Sequence, residues 1–307
     1  MTGLDRRNPL RAARSALRAA RALGAARRIL SRRGAAAVLG GGGYVAGPVG
    51  LAAIRAGLPL IVTEADSHLG LANRLLARRA RRVCLAFPIA SREGDPYLVT
   101  GRPVPRAVLE AERGAARGRF GIPAEDRCVA VFGGSLGART INLAAAEAFA
   151  AGAAGEGPWV LHVAGRRDYP ELRERLERSG SPERYLLLEY ESSLGDVLAA
   201  ADLAVARAGG SVMEIAAAGR PAILIPYPHA TGDHQSANAR WMSDGGAAIV
   251  IADSKLDPAR LASQAVSLLE DEARLRAMAA ASAALAKPDA ADRIAAEVLA
   301  ATRGGRG

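Results

Sequence analysis

Two stretches of this chain set glycine, serine and charge where an apolar strand gives way to a helix. They are "VFGGSLGARTIN", residues 131 to 142, and "ARAGGSVMEIAAAG", residues 206 to 219. At such a junction unpaired N–H groups and the positive end of the helix dipole converge on one point, and glycine lets a ligand approach the backbone. That chemistry holds phosphate. Gly134, Ser135 and Gly137 would serve it in the first turn, and Gly209, Gly210 and Ser211 in the second. The competing reading of either turn is a tight connection between strand and helix with no ligand. Glu214, one helical turn beyond the second glycine pair, can accept both hydroxyls of a ribose, as acidic residues do in dinucleotide folds. Alternatively it is a solvated helix-start glutamate favoured by the dipole.

Such turns need a parallel sheet to hold them, and the chain supplies one. Apolar runs "AAAVLG", "LPLIVTEA" and "RRVCLAFP" are followed by "DRCVAVFGG", "WVLHVAG", "RYLLLEY", "ADLAVARAG" and "RPAILIPYP", all separated by Ala- and Leu-rich helical segments. This alternation predicts an α/β protein with doubly wound parallel sheets. The segment "PYLVTGRPVPRAVLE" carries Pro96, Pro103 and Pro105 between the two series, and its stiffness marks a domain boundary. The expected division is 1–104, 105–286 and a C-terminal helix and tail, 287–307. A complete doubly wound domain takes about 120 to 150 residues, and the front series is shorter and opens on a helix. A first domain incomplete at its N-terminus is therefore expected.

At 307 residues, half of them hydrophobic, the chain can bury two cores and is not disordered. The formal charge of +10 suggests nucleic acid or an anionic membrane surface. Yet the basic residues other than Lys255 and Lys287 are all arginine and alanine is abundant, a bias that genome composition also produces. Aromatic residues are only 4% and no recognition motif occurs, which argues against nucleic acid. Arg7, Arg11, Arg14, Arg18 and Arg21 recur on one face of the first helix, to lie on anionic headgroups or simply in water. Cys84 and Cys128 lack metal spacing and read as buried, reduced thiols. Residues 35 to 54 are uncharged but hold six glycines and Pro48, which suits strand, loop and helix start better than a membrane span. No secretory signal is visible. A soluble chain follows.

Five blocks, "GGYVAGP" (42 to 48), "TEADSHLGLANRLLARRARRV" (63 to 83), "TGRPVP" (100 to 105), "GGSLGA" (133 to 138) and "RAGGSVMEIAAAGRPAILIPYPHATGDHQSANA" (207 to 239), resemble in order the motifs of the MurG family. These are the peptidoglycan N-acetylglucosaminyltransferases. The resemblance implies two Rossmann-like domains facing across a cleft, the GT-B type, and transfer of N-acetylglucosamine from UDP-N-acetylglucosamine to an undecaprenyl-linked muramyl pentapeptide. It implies a peripheral seat on the cytoplasmic face of the membrane and an inverting displacement with no cofactor or metal. Glu214 would bind the ribose and Ser135 the phosphate side. Gln235, with His234 beside it, would contact the sugar hydroxyls, and Gly42, Gly43 and Tyr44 resemble an acceptor-side loop. Glu64 and Asp66 are the candidate bases in "TEAD", where the family commonly writes His-Glu-Gln-Asn; Glu64 can equally be a structural cap or ion pair, and a histidine of the family's opening loop is an alternative base. Pro105 stands in place of a family arginine, so Arg106 is only a displaced counterpart. The family's opening strand and glycine loop have no match, as in an N-terminally shortened member. Another GT-B lipid glycosyltransferase and a nucleotide-sugar-binding remnant without transfer activity remain as alternatives.

Overall fold

The computed structural model describes residues 9–133, 138–150 and 157–303, with the side chains of all of these except 9–17, 19 and 44. They form two compact units. One comprises the chain up to Pro103 together with the residues from Asp289 onward, and the other runs from Val104 to Pro288.

In unit 1 the strands are β1 (Val38–Gly40), β2 (Leu60–Glu64), β3 (Arg82–Leu85) and β4 (Tyr97–Val99), paired in that order and parallel throughout. Helix α1 (Pro9–Arg32) precedes β1, and α2 (Gly43–Arg55) and α3 (Leu71–Leu76) connect β1 to β2 and β2 to β3. Residues 35 to 54 thus contain β1 and most of α2, with Pro48 inside the helix. β4 lies within the proline-rich segment read as a linker; three residues bounded by prolines give too little periodicity to announce a strand. A last helix, α13 (Ala290–Arg303), packs Ile294 and Ala301 on Ile61 and Cys84. Arg82 Nε donates to Glu297 Oε2 at 2.9 Å across the same contact.

Unit 2 has β5 (Cys128–Phe132), β6 (Trp159–Val163), β7 (Tyr185–Leu188), β8 (Leu203–Ala206), β9 (Ala222–Leu224) and β10 (Ala248–Val250). The order is β10-β9-β8-β5-β6-β7, all parallel. Counted from β5, this is the 3-2-1-4-5-6 arrangement of doubly wound sheets. Every residue of β5 and β8 is buried, as expected of strands covered on both faces. Helix α6 (Arg139–Ala150) and helix α11 (Pro258–Glu270) cover one face, where Ile141, Ala145, Leu261 and Leu268 join Val129, Val131, Leu203 and Val205 in a single core. Helices α4 (Arg106–Leu109), α5 (Arg113–Phe120), α7 (Tyr169–Arg178), α8 (Leu194–Ala200), α9 (Val212–Ala217), α10 (His234–Asp244) and α12 (Glu272–Leu285) complete the unit. Both cysteines are free and buried. Burial pushes the Cys84 thiol up to about 11 and that of Cys128 up to about 12, so both stay protonated near neutrality.

Candidate functional site

In unit 2 the connection order reverses between β5 and β8. The first crossovers run outward to β6 and β7, the later ones to β9 and β10. The strand ends at such a reversal open a crevice because the two chains leave in opposite directions. Register pairs Phe132 with Ala206, so the two glycine turns leave neighbouring strands at the same level. Gly133 starts the first one. A Cβ there would lie 2.3 Å from the Ala138 Cβ and 2.5 Å from its backbone nitrogen, so only glycine lets the turn close on α6. Gly134, Ser135 and Gly137 lie outside the described residues.

After β8, Gly209 and Gly210 lead to Ser211, which precedes α9, with Glu214 in its first turn and half-buried. The turn is braced from two sides. Asn238 of α10, 1% exposed, donates its amide to the Ala208 carbonyl at 3.0 Å. Arg207 donates Nη1 to Asp253 Oδ1 at 2.5 Å and to the Ile225 carbonyl at 3.1 Å, and Nη2 to the Thr140 hydroxyl at 2.6 Å. Its guanidinium also stands 5.5 Å from the centre of the Tyr227 ring, within the range of a cation–π contact.

Tyr227 in turn orients Gln235. The Tyr227 N–H donates to Gln235 Oε1 at 2.9 Å, and a Cβ built on Gly209 would lie 3.9 Å from Gln235 Nε2. The amide oxygen is engaged by backbone, and the NH₂ group looks onto the glycine turn. His234 lies beside it with Nδ1 2.8 Å from the Thr231 carbonyl. Arg106 stands exposed at the start of α4. Among the described residues no hydrogen bond or ion pair joins it to either turn.

Behind the first turn runs a buried polar chain. Asn142 of α6 donates its amide to the Ala164 carbonyl and to Asp168 Oδ2, both at 2.9 Å. Its Oδ1 is then the acceptor for His162 Nε2 at 3.0 Å, which leaves Nδ1 to accept from the Tyr185 hydroxyl at 2.7 Å. Burial lowers His162 from 6.5 to about 3, against the opposing pull of Asp168, so the ring is neutral. This chain ties the start of α6 to the loop after β6.

In unit 1, Gly42 and Gly43 connect β1 to α2 with φ of 82° and 73°, conformations that L side chains rarely adopt. Gly42 caps α2 without a side-chain bond, leaving its first N–H groups open. Tyr44 follows inside α2, its side chain outside the described set. A hollow of about 190 Å³ beside these glycines is lined by Leu39, Val45 and Val49 among others.

The two carboxylates of "TEAD" have different surroundings. Glu64, at the end of β2, is 8% exposed. Its Oε2 accepts from the Gly70 N–H and the Asn73 amide, each at 2.9 Å, and its Oε1 from the Asp66 N–H at 3.3 Å. Those donors pin the loop 65–70. Asp66 sits half-buried in the loop so held. Asn73, 1% exposed, reaches toward Gly42: a Cβ there would lie 3.2 Å from its Nδ2. Its Oδ1 is buried without a partner. Asn73, Asn142, Arg207 and Asn238 escaped the sequence reading, although a polar residue amid an Ala/Leu helix pattern was a usable signal in "LANRLL" and "TINLAAA".

Two parallel-sheet α/β units, the second with paired glycine turns at its switch point, have the architecture of GT-B glycosyltransferases. The model for the glycosyltransferase family 28 C-terminal domain matches residues 128–294, and that for the N-terminal domain matches residues 2–85. A protein of Moorella thermoacetica named UDP-N-acetylglucosamine–N-acetylmuramyl-(pentapeptide) pyrophosphoryl-undecaprenol N-acetylglucosamine transferase is 39% identical, covering 95% of this chain and 81% of the relative. One of the same name from Rubrobacter xylanophilus is 40% identical, covering 97% and 87%. The crystal structure of Acinetobacter baumannii MurG superposes with a TM-score of 0.75 at 28% identity, covering 92% of this chain and 79% of that one. The chain belongs to glycosyltransferase family 28, in the MurG branch that these relatives define.

Proposed function

We propose that the chain transfers N-acetylglucosamine from UDP-N-acetylglucosamine to the C4 hydroxyl of an undecaprenyl-pyrophosphoryl muramyl pentapeptide. The observation that carries this reading is 39% and 40% identity, over 95% and 97% of the chain, to relatives named for that reaction. The C4 oxygen forms its bond to the anomeric carbon as the bond from that carbon to the diphosphate breaks, and UDP leaves with the electron pair. Configuration inverts. Stabilising the leaving diphosphate falls to the N–H groups of the turns after β5 and β8 and to the hydroxyls of Ser135 and Ser211. Glu214 takes the ribose hydroxyls. Gln235, its oxygen engaged by Tyr227, offers its NH₂ group to the sugar. On the acceptor side we assign the Gly42–Gly43 turn and Tyr44, with Asp66 receiving the hydroxyl proton and Glu64 holding its loop.

No helix among the described residues is long and apolar enough to cross a membrane. Arg18, Arg21, Arg27 and Arg28 are exposed on α1, which supports a peripheral seat on an anionic surface at about 1 kcal/mol per basic residue. The deciding experiment incubates the purified chain with radiolabelled UDP-N-acetylglucosamine and the lipid-linked muramyl pentapeptide. Label entering the lipid fraction together with free UDP is the expected result; UDP release without labelled lipid would overturn the acceptor assignment.

A further inference from the structure

The opposite end of the unit 2 sheet carries an unbalanced charge cluster that glycosyl transfer does not use. Asp202, 8% exposed, precedes β8 and accepts Arg113 Nη2 at 2.7 Å, Arg117 Nη2 at 2.9 Å and the Cys128 N–H at 2.8 Å. Arg127 Nη1 approaches the same carboxylate at 3.7 Å. Arg117 is fully committed. It is 3% exposed and also donates to the carbonyls of Ala200, Pro123, Ala124 and Asp126, which fastens the loop before β5.

Arg220 is the residue without an account. Register pairs Ala204 with Ala222, and carrying it back two residues sets Arg220 beside Asp202 at the N-terminal edge of the sheet. Its Nε is buried and lacks a hydrogen-bond partner, and among the described residues no carboxylate lies within ion-pair distance. Burial first, then the nearby Arg113 and Arg117, disfavour its charge, and the opposing pull of Asp202 and Cys128 leaves it below its ordinary value. The other local acid, Asp126, is turned to the Trp159 indole N–H at 2.8 Å and to Arg184 at 3.7 Å. A single carboxylate therefore faces four guanidiniums, one of them half-buried, with its Nε sealed off and no ion pair among the described residues. A partly buried cation in that state is costly unless an anion joins it.

We infer that the N-terminal ends of β5, β8 and β9 form a second anion site, where Arg220, Arg113 and Arg127 receive a phosphate group from solution or from a lipid headgroup. Planar guanidiniums match phosphate oxygens in pairs. Arg113 and Arg127 are 37% and 41% exposed, so the site opens to solvent while Arg220 forms its inner wall.

The test compares the melting temperature of the full chain with that of Arg220→Gln, both with saturating UDP, as inorganic phosphate replaces chloride at constant ionic strength. Phosphate is expected to raise the melting temperature of the parent and leave Arg220→Gln unmoved. In phosphate-free buffer the variant should melt no lower than the parent, because the charge removed had no partner. Arg220→Lys, which keeps the charge, should regain part of the phosphate response. Both chains carry the same donor site, so the comparison holds whatever nucleotide that site prefers. If phosphatidylglycerol vesicles raise the parent alone and phosphate does not, the source is a headgroup; if phosphate does, it is soluble. A rise of equal size in parent and Arg220→Gln, or none in the parent with either probe, overturns the inference.

Discussion

Arg207 Nη1 lies 2.5 Å from Asp253 Oδ1, and the same oxygen accepts the Thr140 hydroxyl at 2.7 Å. Thr140 belongs to the first turn of α6, Arg207 follows β8 and Asp253 follows β10. One ion pair therefore holds three loops of the crevice rim in register. Breaking a partly buried charged bond costs about 1 to 3 kcal/mol, and here the expense falls on donor geometry. Asp253→Asn is expected to raise KM for UDP-N-acetylglucosamine several-fold with kcat little changed. Steady-state kinetics beside thermal melting check this; a lower melting temperature with an unaltered KM would leave the pair a stabilising role alone.

Glu214 and Gln235 should separate by ligand. Glu214→Ala is expected to weaken both UDP and the sugar nucleotide by about 2 kcal/mol, the loss of hydrogen bonds to a charged group. Gln235→Glu replaces the NH₂ donor with an acceptor while still allowing the Tyr227 N–H its partner. It should weaken UDP-N-acetylglucosamine and spare UDP. Calorimetry with the two ligands decides, and equal losses for both in the Gln235 variant would remove it from the sugar.

For the two carboxylates of unit 1 the expected outcomes diverge. Glu64→Gln can keep its oxygen for the Gly70 N–H and the Asn73 amide, which share Oε2 at 2.9 Å, but then sets its NH₂ group against the Asp66 N–H, the donor to Oε1 at 3.3 Å. A donor facing a donor in a buried site costs about 1 to 3 kcal/mol, read as a lower urea midpoint. Asp66→Asn should leave that midpoint in place and cut kcat by about 10²-fold or more, the scale of general base catalysis. A full kcat in Asp66→Asn would pass the proton to another group.

Acid stability follows from His162. Its ordinary value of 6.5 falls to about 3 in the fold, first because of burial. Between those values the unfolded chain holds the extra proton, so stability rises with pH through this window and is fully present above it. The slope is at most about 1.4 kcal/mol per pH unit. His162→Gln should flatten the dependence of the urea midpoint between roughly pH 6 and pH 4. Parallel curves for parent and variant would show that the ring titrates normally.

The turns after β5 and β8 were legible because strand, glycine and helix patterns adjoin in the sequence and each has its own period. The motif singled out Glu214 and Gln235, and the fold sets both beside the turn after β8. The bracing was not legible: Arg207 meets Asp253 across 46 residues, and Asn142 meets His162 and Asp168 across 20 and 26. Such pairings depend on strand order, which local periodicity does not encode. β10 shows the same limit. "AAIVI" is short and follows a glycine pair, and only its pairing with β9 makes it a strand. For Glu64 a capping or ion-paired role was legible as one of two readings, but its donors were not, since they come from a loop whose shape is a product of the fold.

The placement of α13 on β2 and β3 has a consequence for synthesis. All of unit 2 leaves the ribosome before the helix that covers Ile61 and Cys84 of unit 1. Domains ordinarily fold in the order they emerge. Here the earlier strands wait with an apolar face open while the later unit is completed, and the core that began first closes only once α13 has emerged. A chain interrupted between unit 2 and α13 would carry a finished second unit beside an unfinished first one, a species that chaperones and proteases can recognise by that uncovered face.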